Sequence, residues 1–296
     1  MARARARRRL LGLGVVVAIA FGAIAAAGLW ASSSSASSGG QPVDPSTFSS
    51  GACIAFAPTA GNRHLTVFLD AGHGGLDPGS VGTTQSGSTI YEANETLPVE
   101  LDTMAILRRE GFRVVVSRTR NNSVVRPTPG DVANNALTVQ GIHDDVAARD
   151  VCANDAHANV LLGIYFDAGA PNNAGSVTGY DAVRPFAAQN LRLADLVQSD
   201  VLGALNAHGW GIPDEGVQPD NELGSAITST AISYGHLLLL GPADPGWFNT
   251  PSQMPGALIE PLFITDPFEG SIAASYEGQH VIAAGLARAV AQYFAR

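Results

Sequence analysis

From Leu65 onward the chain alternates short, continuous apolar runs with longer segments whose apolar residues recur at helical spacing, and no internal repeat breaks that order. Leu65 to Leu69 reads as a buried strand, while Leu97, Leu101, Met104 and Leu107 mark a helix that Gly111 ends. Val114 to Val116 follows as a second strand, Val146 to Ala158 as a helix, and Val160 to Phe166 as another apolar strand. Leu191 to Ala207 is a helix closed by Gly209, His236 to Leu240 and Ala257 to Ile259 read as strands, and His280 to Phe294 closes the chain as an amphipathic helix. Strands that are apolar throughout need cover on both faces. The expected fold is therefore a single α/β domain, with a mostly parallel twisted sheet between helices. In such sheets ligands bind at the carboxyl ends of the strands, which directs attention to the residues just after Leu69, Ile164 and Ile259.

The N-terminal fifty residues are of another kind. A basic flank, Arg3 to Arg9, precedes the uncharged run Leu10 to Trp30, whose 21 residues suffice to span a bilayer with the basic side kept in the cytoplasm. The run fits either a signal peptide, cleaved near the small residues Ala27 to Ala31, or a retained membrane anchor. Both readings put the rest of the chain outside, exported to the cell envelope or beyond it. Residues 31–50 are mostly Ser, Gly, Ala and Pro and read as a flexible linker, so the folded domain is expected over residues 51–296. In an oxidising compartment Cys53 and Cys152, the two cysteines of the chain, are expected to pair as a disulfide. The net charge of −9 is spread along the chain, and its one dense basic run lies at the extreme N-terminus, which argues against a nucleic-acid partner.

Three strand ends carry chemistry. Asp70-Ala71-Gly72-His73-Gly74-Gly75 leaves an imidazole among glycines at the mouth of the sheet, suited either to ligate a metal or to bond a turn carbonyl. Glu92, nineteen residues later and just ahead of the helix near Leu97, is placed to reach that metal or to complement the helix N-terminus, a role for which Glu95 competes. Glu260, between Ile259 and Pro261, is a carboxylate enclosed by apolar neighbours, and burial of that kind raises a carboxyl towards the range of a general base. The other histidines, His64, His143, His157, His208, His236 and His280, take ordinary structural readings. Asn121 to Gly141 is a long loop that either covers the site or simply moves.

These motifs, in this order, resemble the zinc-dependent N-acetylmuramoyl-L-alanine amidases that trim bacterial cell wall, from about Leu65 to the C-terminus. Phe68 to Gly75 with Asp77-Pro78-Gly79 is similar to the family's first motif, whose histidine binds zinc, and Glu92 matches its glutamate ligand. Arg149 with Ala153-Asn154 resembles the helix ahead of the third motif, and Leu258 to Asp266 resembles the closing motif, whose glutamate is the catalytic base. The resemblance implies Zn²⁺ as cofactor, peptidoglycan as substrate and Glu260 as base. It departs at one position: the second histidine ligand is expected after Leu162-Gly163-Ile164, where Tyr165 stands. A neutral phenol is a poor zinc ligand, and Asp167, two residues on and on the same face by strand alternation, is the substitute donor beside His73 and Glu92. The alternative is a catalytically weak or inactive relative that binds peptidoglycan or regulates wall hydrolysis with a protein partner.

Overall fold

A computed structural model of the protein describes residues 39–223 and 229–295. The expected signal or anchor segment, residues 1–30, lies outside them, as does the linker up to residue 38. Among the described residues no helix is long and apolar enough to cross a membrane.

In chain order the elements are β1 (Gln41–Pro42), β2 (Ala52–Phe56), β3 (Thr66–Ala71), β4 (Val81–Thr83), β5 (Thr89–Tyr91), α1 (Glu92–Arg109), β6 (Arg113–Arg118), β7 (Val132–Ala133) and β8 (Ala136–Leu137). There follow α2 (Val139–Asp155), β9 (Val160–Ile164), β10 (Ser176–Tyr180), α3 (Ala187–Ala207), β11 (Asp214–Pro219), α4 (Ser229–Tyr234), β12 (Gly256–Glu260), α5 (Pro267–Ala273) and α6 (Tyr276–Tyr293). Eight strands form one sheet in the order β1-β2-β6-β3-β9-β12-β10-β11. Its centre, β6-β3-β9-β12, is parallel. The flanking pairs β1-β2, β2-β6 and β12-β10 are antiparallel, and β10-β11 is parallel again.

Alternate residues of the central strands serve two cores. Val67 and Leu69, Val114 and Val116, and Leu162 and Ile164 face the buried residues of α1, α3 and α6, including Met104, Val197 and Leu286. Phe68, Val115, Leu161 and Leu258 face Ala148, Cys152 and Ala153 of α2. The sheet is thus covered on both faces, the arrangement that its continuous apolar strands require.

Three expectations change. Residues 41–50 belong to the fold instead of ending a linker: β1 pairs with β2, Phe48 is buried and bridges to Val125, and Ser49 N–H donates to Val124 O. Burial of Phe48 and packing of Val43, with the Arg126 guanidinium donating to the carbonyls of Phe48 and Pro45, order a segment that its Ser- and Pro-rich composition did not. His236 to Leu240 is a turn and not a strand; Leu239 and Leu240 plug the α2-side core from an irregular backbone, since an apolar run reports burial and not conformation. α1 begins at Glu92 rather than near Leu97, with Glu92 and Glu95 in its first turn, where carboxylates complement the helix dipole.

Cys53 and Cys152 form a disulfide that joins β2 to α2, with 0% exposure at both residues. The segment after β6 is also anchored. Asn121 Oδ1 accepts the Gly75 N–H, and Asp145 Oδ1 accepts the N–H groups of Val124 and Val125.

Candidate active site

β3, β9 and β12 run parallel, so their carboxyl ends open at one rim of the sheet. The turn after β3 presents His73 in the left-handed region, φ 59°, a conformation a histidine keeps only where its surroundings hold it. Arg149 of α2 supplies the hold. Its guanidinium donates to the carbonyls of Ala71 and His73, both at 2.7 Å, and to the carboxylates of Asp70 and Asp145. All three charged side chains are buried, so the turn rests on a buried ionic cluster in which both terminal nitrogens of Arg149 are paired while its Nε has no partner.

The imidazole is fixed at both nitrogens. Nδ1 lies 2.7 Å from Asp77 Oδ2, and Nε2 lies 3.1 Å from Glu92 Oε2. Glu92, 2% exposed at its side chain, also accepts the N–H of Ser80 at 2.9 Å and of Phe166 at 3.0 Å, which ties the segment after β9 to α1. Gly79 lets the pair close: a Cβ there would stand 2.6 Å from His73 Cδ2 and 2.8 Å from Glu92 Oε2. Burial alone would push the imidazolium down, but Glu92 and Asp77 outweigh it and raise His73 to about 10. Two carboxylates facing one imidazole leave an excess of negative charge, a setting that attracts a cation.

Glu260, the last residue of β12, completes the rim. Burial first, then the charges of Asp167 and Glu92, push its carboxyl up to about 8, against an opposing pull from His73. Asp167 lies beyond the end of β9 in an isolated parallel bridge to Phe263, with Oδ1 accepting the Ala168 N–H at 2.6 Å. Burial, followed by Glu92 and Glu215, raises its carboxyl too.

Tyr165 and Asp167 have different partners. β9 ends at Ile164, so the pleat no longer dictates their directions. Tyr165 Oη donates to Asp70 Oδ2 at 3.1 Å, and its ring stands edge-on to His73 with centroids 5.4 Å apart. The ring fits because residue 72 is glycine: a Cβ there would lie 2.5 Å from it. Burial, then Asp70, hold the phenol well above its usual range, so Tyr165 is a neutral donor to Asp70.

The structure thus brings His73 against Glu92, with Glu260 near enough to feel the charges of Asp167, Glu92 and His73, and Asp167 near enough to feel that of Glu92. It does not draw His73, Glu92 and Asp167 into a tight trio. Among the described residues, the group whose three ligand atoms all lie within 4.8 Å of one another is Asp181, Asp220 and His236, at a different place in the fold. Sequence reasoning missed that group, and it also missed the role of Asp77. The available signal for Asp77 was a carboxylate four residues after the histidine in a glycine-rich turn.

At the His73–Glu92 pair the donors suit zinc. Zinc–nitrogen and zinc–oxygen bonds of about 2.0–2.2 Å in a tetrahedral site place neighbouring ligand atoms about 3.3–3.6 Å apart. The Nε2–Oε2 separation of 3.1 Å is a few tenths of an ångström short of that, so a small side-chain shift admits the ion. The opposite nitrogen is bound by a carboxylate, the usual second partner of a metal-ligating histidine.

The fold is shared with solved structures. N-acetylmuramoyl-L-alanine amidase AmiC2 of Nostoc punctiforme matches at a TM-score of 0.54 and 21% identity, over 80% of this chain and 100% of that one. Ami1 of Mycobacterium smegmatis matches at 0.52 and 20%, over 79% and 98%. In sequence, N-acetylmuramoyl-L-alanine amidase AmiA of Salmonella typhimurium is 28% identical over 244 residues, 79% of this chain and 77% of that protein. The family model described as N-acetylmuramoyl-L-alanine amidase matches residues 67–292, from within β3 almost to the end of α6. That span takes in all three strand ends of the rim, and the chain belongs to the N-acetylmuramoyl-L-alanine amidase family, hydrolases of an amide bond in peptidoglycan.

Proposed function

We propose that this protein cleaves the amide between the lactyl group of N-acetylmuramic acid and the L-alanine of the stem peptide at a zinc ion held by His73 and Glu92, with Asp167 as third donor and Glu260 as general base. The observation that carries the reading is the 3.1 Å approach of His73 Nε2 to Glu92 Oε2, with Nδ1 occupied by Asp77. Asp167 joins by releasing the Ala168 N–H. Zinc bound there supplies Lewis acidity to a water and to the scissile carbonyl, and offsets the negative field of Glu92 and Asp167 that holds Glu260 up. Glu260 takes a proton from the attacking water as the carbon–oxygen bond forms, and returns it to the alanine nitrogen as the carbon–nitrogen bond breaks. Asp77 fixes the imidazole tautomer, and Arg149 fixes the turn that carries it.

The domain acts outside the cytoplasm, delivered by the segment Leu10 to Trp30 as a cleaved signal or a retained anchor. The buried Cys53–Cys152 bridge agrees with an oxidising compartment.

One observation favours a second reading. At the position where the resemblance implies a second imidazole, Tyr165 is committed to Asp70, and a protein with a weakened metal site would bind wall or regulate a partner instead of cutting. The test uses the full chain. Zinc content and release of new L-alanine amino termini from purified peptidoglycan are measured for wild type, His73→Ala and Asp167→Ala. The zinc equivalent that His73→Ala removes should be removed by Asp167→Ala as well, along with activity, while circular dichroism stays unchanged. Full zinc in Asp167→Ala removes Asp167 from the site. Wild type that binds peptidoglycan but releases no amine favours the second reading.

A further inference from the structure

Away from the amidase centre, three ligand-bearing side chains meet at the other end of the sheet. β10 and β11 are parallel, and each hands over to an aspartate at its carboxyl end: Asp181 after Tyr180, and Asp220 after Pro219. β10 runs antiparallel to β12 with Val177 opposite Glu260, so Asp181 lies four residues beyond that pair, away from the catalytic rim. At about 3.3 Å per residue the separation along the strand is about 13 Å. His236, in the turn after α4, supplies the third side chain.

His236 Nδ1 stands 3.0 Å from Asp181 Oδ2 and 3.2 Å from Asp220 Oδ1. The two aspartates are 0% and 3% exposed. Their other oxygens are already used: Asp181 Oδ1 accepts the N–H groups of Val183 and Arg184, and Asp220 Oδ2 accepts that of Leu237. Two carboxylate oxygens therefore converge on one ring nitrogen, which carries at most one proton. Its hydrogen-bond alignment is with Asp220, leaving Asp181 Oδ2 buried without a donor. The neighbouring guanidinium of Arg184 is committed to the carbonyls of Leu240, Gly241 and Ser252. A buried carboxylate oxygen in that state is costly, and a cation that bonds all three atoms removes the deficit. Donors about 2.0–2.2 Å from a common tetrahedral ion lie about 3.3–3.6 Å apart, so the separations of 3.0 and 3.2 Å need to open by only a few tenths of an ångström to seat one. An imidazole among the donors selects zinc and its transition-metal neighbours over calcium or magnesium.

We propose that Asp181, Asp220 and His236 bind a second divalent cation of the zinc class, which serves structure instead of catalysis. The ion pins the turn bearing Leu239 and Leu240, both plugs of the α2-side core, to the ends of β10 and β11. This site is independent of the reading of the amidase centre, and the experiment keeps them apart by working on untagged full-length His73→Ala. Equilibrium dialysis against zinc should still give this variant one tight equivalent, with a melting temperature that rises with zinc concentration. Cobalt(II) titration of the same protein should develop visible absorption from a nitrogen- and oxygen-ligated ion. Adding His236→Gln, or separately Asp220→Asn, should abolish the equivalent, the melting shift and the absorption together; two variants guard against one failing to fold. The proposal is overturned if His73→Ala binds no zinc, or if it binds zinc equally well with His236 and Asp220 replaced.

Discussion

Loss of the Cys53–Cys152 bridge should destabilise the domain severely while leaving its folded architecture intact. The cysteines are 99 residues apart in sequence, and cross-linking a loop of that length restricts the unfolded chain by about 4.7 kcal/mol at 25 °C in the chain-entropy treatment. Alanine also carries a Cβ, so the cost of φ 52° at position 53 is unchanged in the variant; loss of a native bridge is about 2–5 kcal/mol in practice, and the expected net loss here is about 3–4 kcal/mol. That is a large share of the roughly 5–15 kcal/mol that holds a typical domain. It corresponds to about 10 °C in melting temperature at about 2–4 °C per kcal/mol for a domain of this size. The bridge also matters to the site, because Cys152 lies one turn after Arg149 on α2, and Arg149 holds the backbone of His73. The double variant Cys53→Ala/Cys152→Ala should be compared with wild type by urea unfolding followed through Trp210 and Trp247 fluorescence. An unfolding free energy within about 1 kcal/mol of wild type would refute the argument, since it would mean that the unfolded chain gains little freedom when the loop is opened.

Glu260→Gln should reduce amine release from peptidoglycan by about 10²- to 10⁴-fold with zinc content unchanged, measured on matched protein batches; near-normal turnover would exclude Glu260 as the base. Asp77→Asn, which replaces the carboxylate at His73 Nδ1, should weaken zinc binding by about 10- to 100-fold in competition with a chelator, and unaltered affinity would show that the 2.7 Å contact is not supporting a ligand. The metal-free protein should lose stability as pH rises. Burial raises Glu260 and Glu100 to about 8 and Glu95 and Glu269 to about 7, so the fold retains protons that an unfolded glutamate, at 4.5, has released. His73, raised to about 10, adds stability that is complete below 6.5 and is lost as pH climbs through 10. Both contributions have one sign across pH 5 to 8, so the melting temperature in chelator should be higher at the acid end, and a rise towards pH 8 would contradict the assignment.

The elements legible in the sequence were those whose burial pattern is unmistakable. β3, β6, β9 and β12 are apolar on both faces, and α1, α3 and α6 carry apolar residues at helical spacing. β10, Ser-Val-Thr-Gly-Tyr, and β11, Asp-Glu-Gly-Val-Gln-Pro, escaped notice because strands towards the sheet's edge need little apolar character. His236 to Leu240 misled for the opposite reason, being apolar enough for a strand while serving as a plug. At the site, the strand-end rule led to His73 and Glu260, and a helix start led to Glu92. Asp77 and Arg149 exert their effects through the direction of particular hydrogen bonds to His73, which residue type and spacing do not encode. Likewise, Asp220 and His236 are 16 residues apart in sequence, and Asp181 is brought to them only by the pairing of β10 with β11.

That pairing explains why, among the described residues, a histidine meets two carboxylates at two separate places, His73 at one end of the sheet and His236 at the other. In a wholly parallel sheet every strand would end at one rim, and loops bearing polar ligands would gather there. Here β12 is parallel to β9 on one side and antiparallel to β10 on the other, so the polarity of the sheet reverses between them. The carboxyl ends of β3, β9 and β12 converge on His73, Glu92 and Glu260, while those of β10 and β11 open at the opposite end, on Asp181 and Asp220. The first group lies on a rim where His73 retains 25% side-chain exposure, open to a polymeric substrate. The second is closed, with both aspartates buried and an irregular turn folded over them. Exposure suits a centre that must admit peptidoglycan, and enclosure suits an ion that holds a turn in place. The reversal of strand direction at β12–β10 therefore separates the proposed amidase centre from the proposed structural ion.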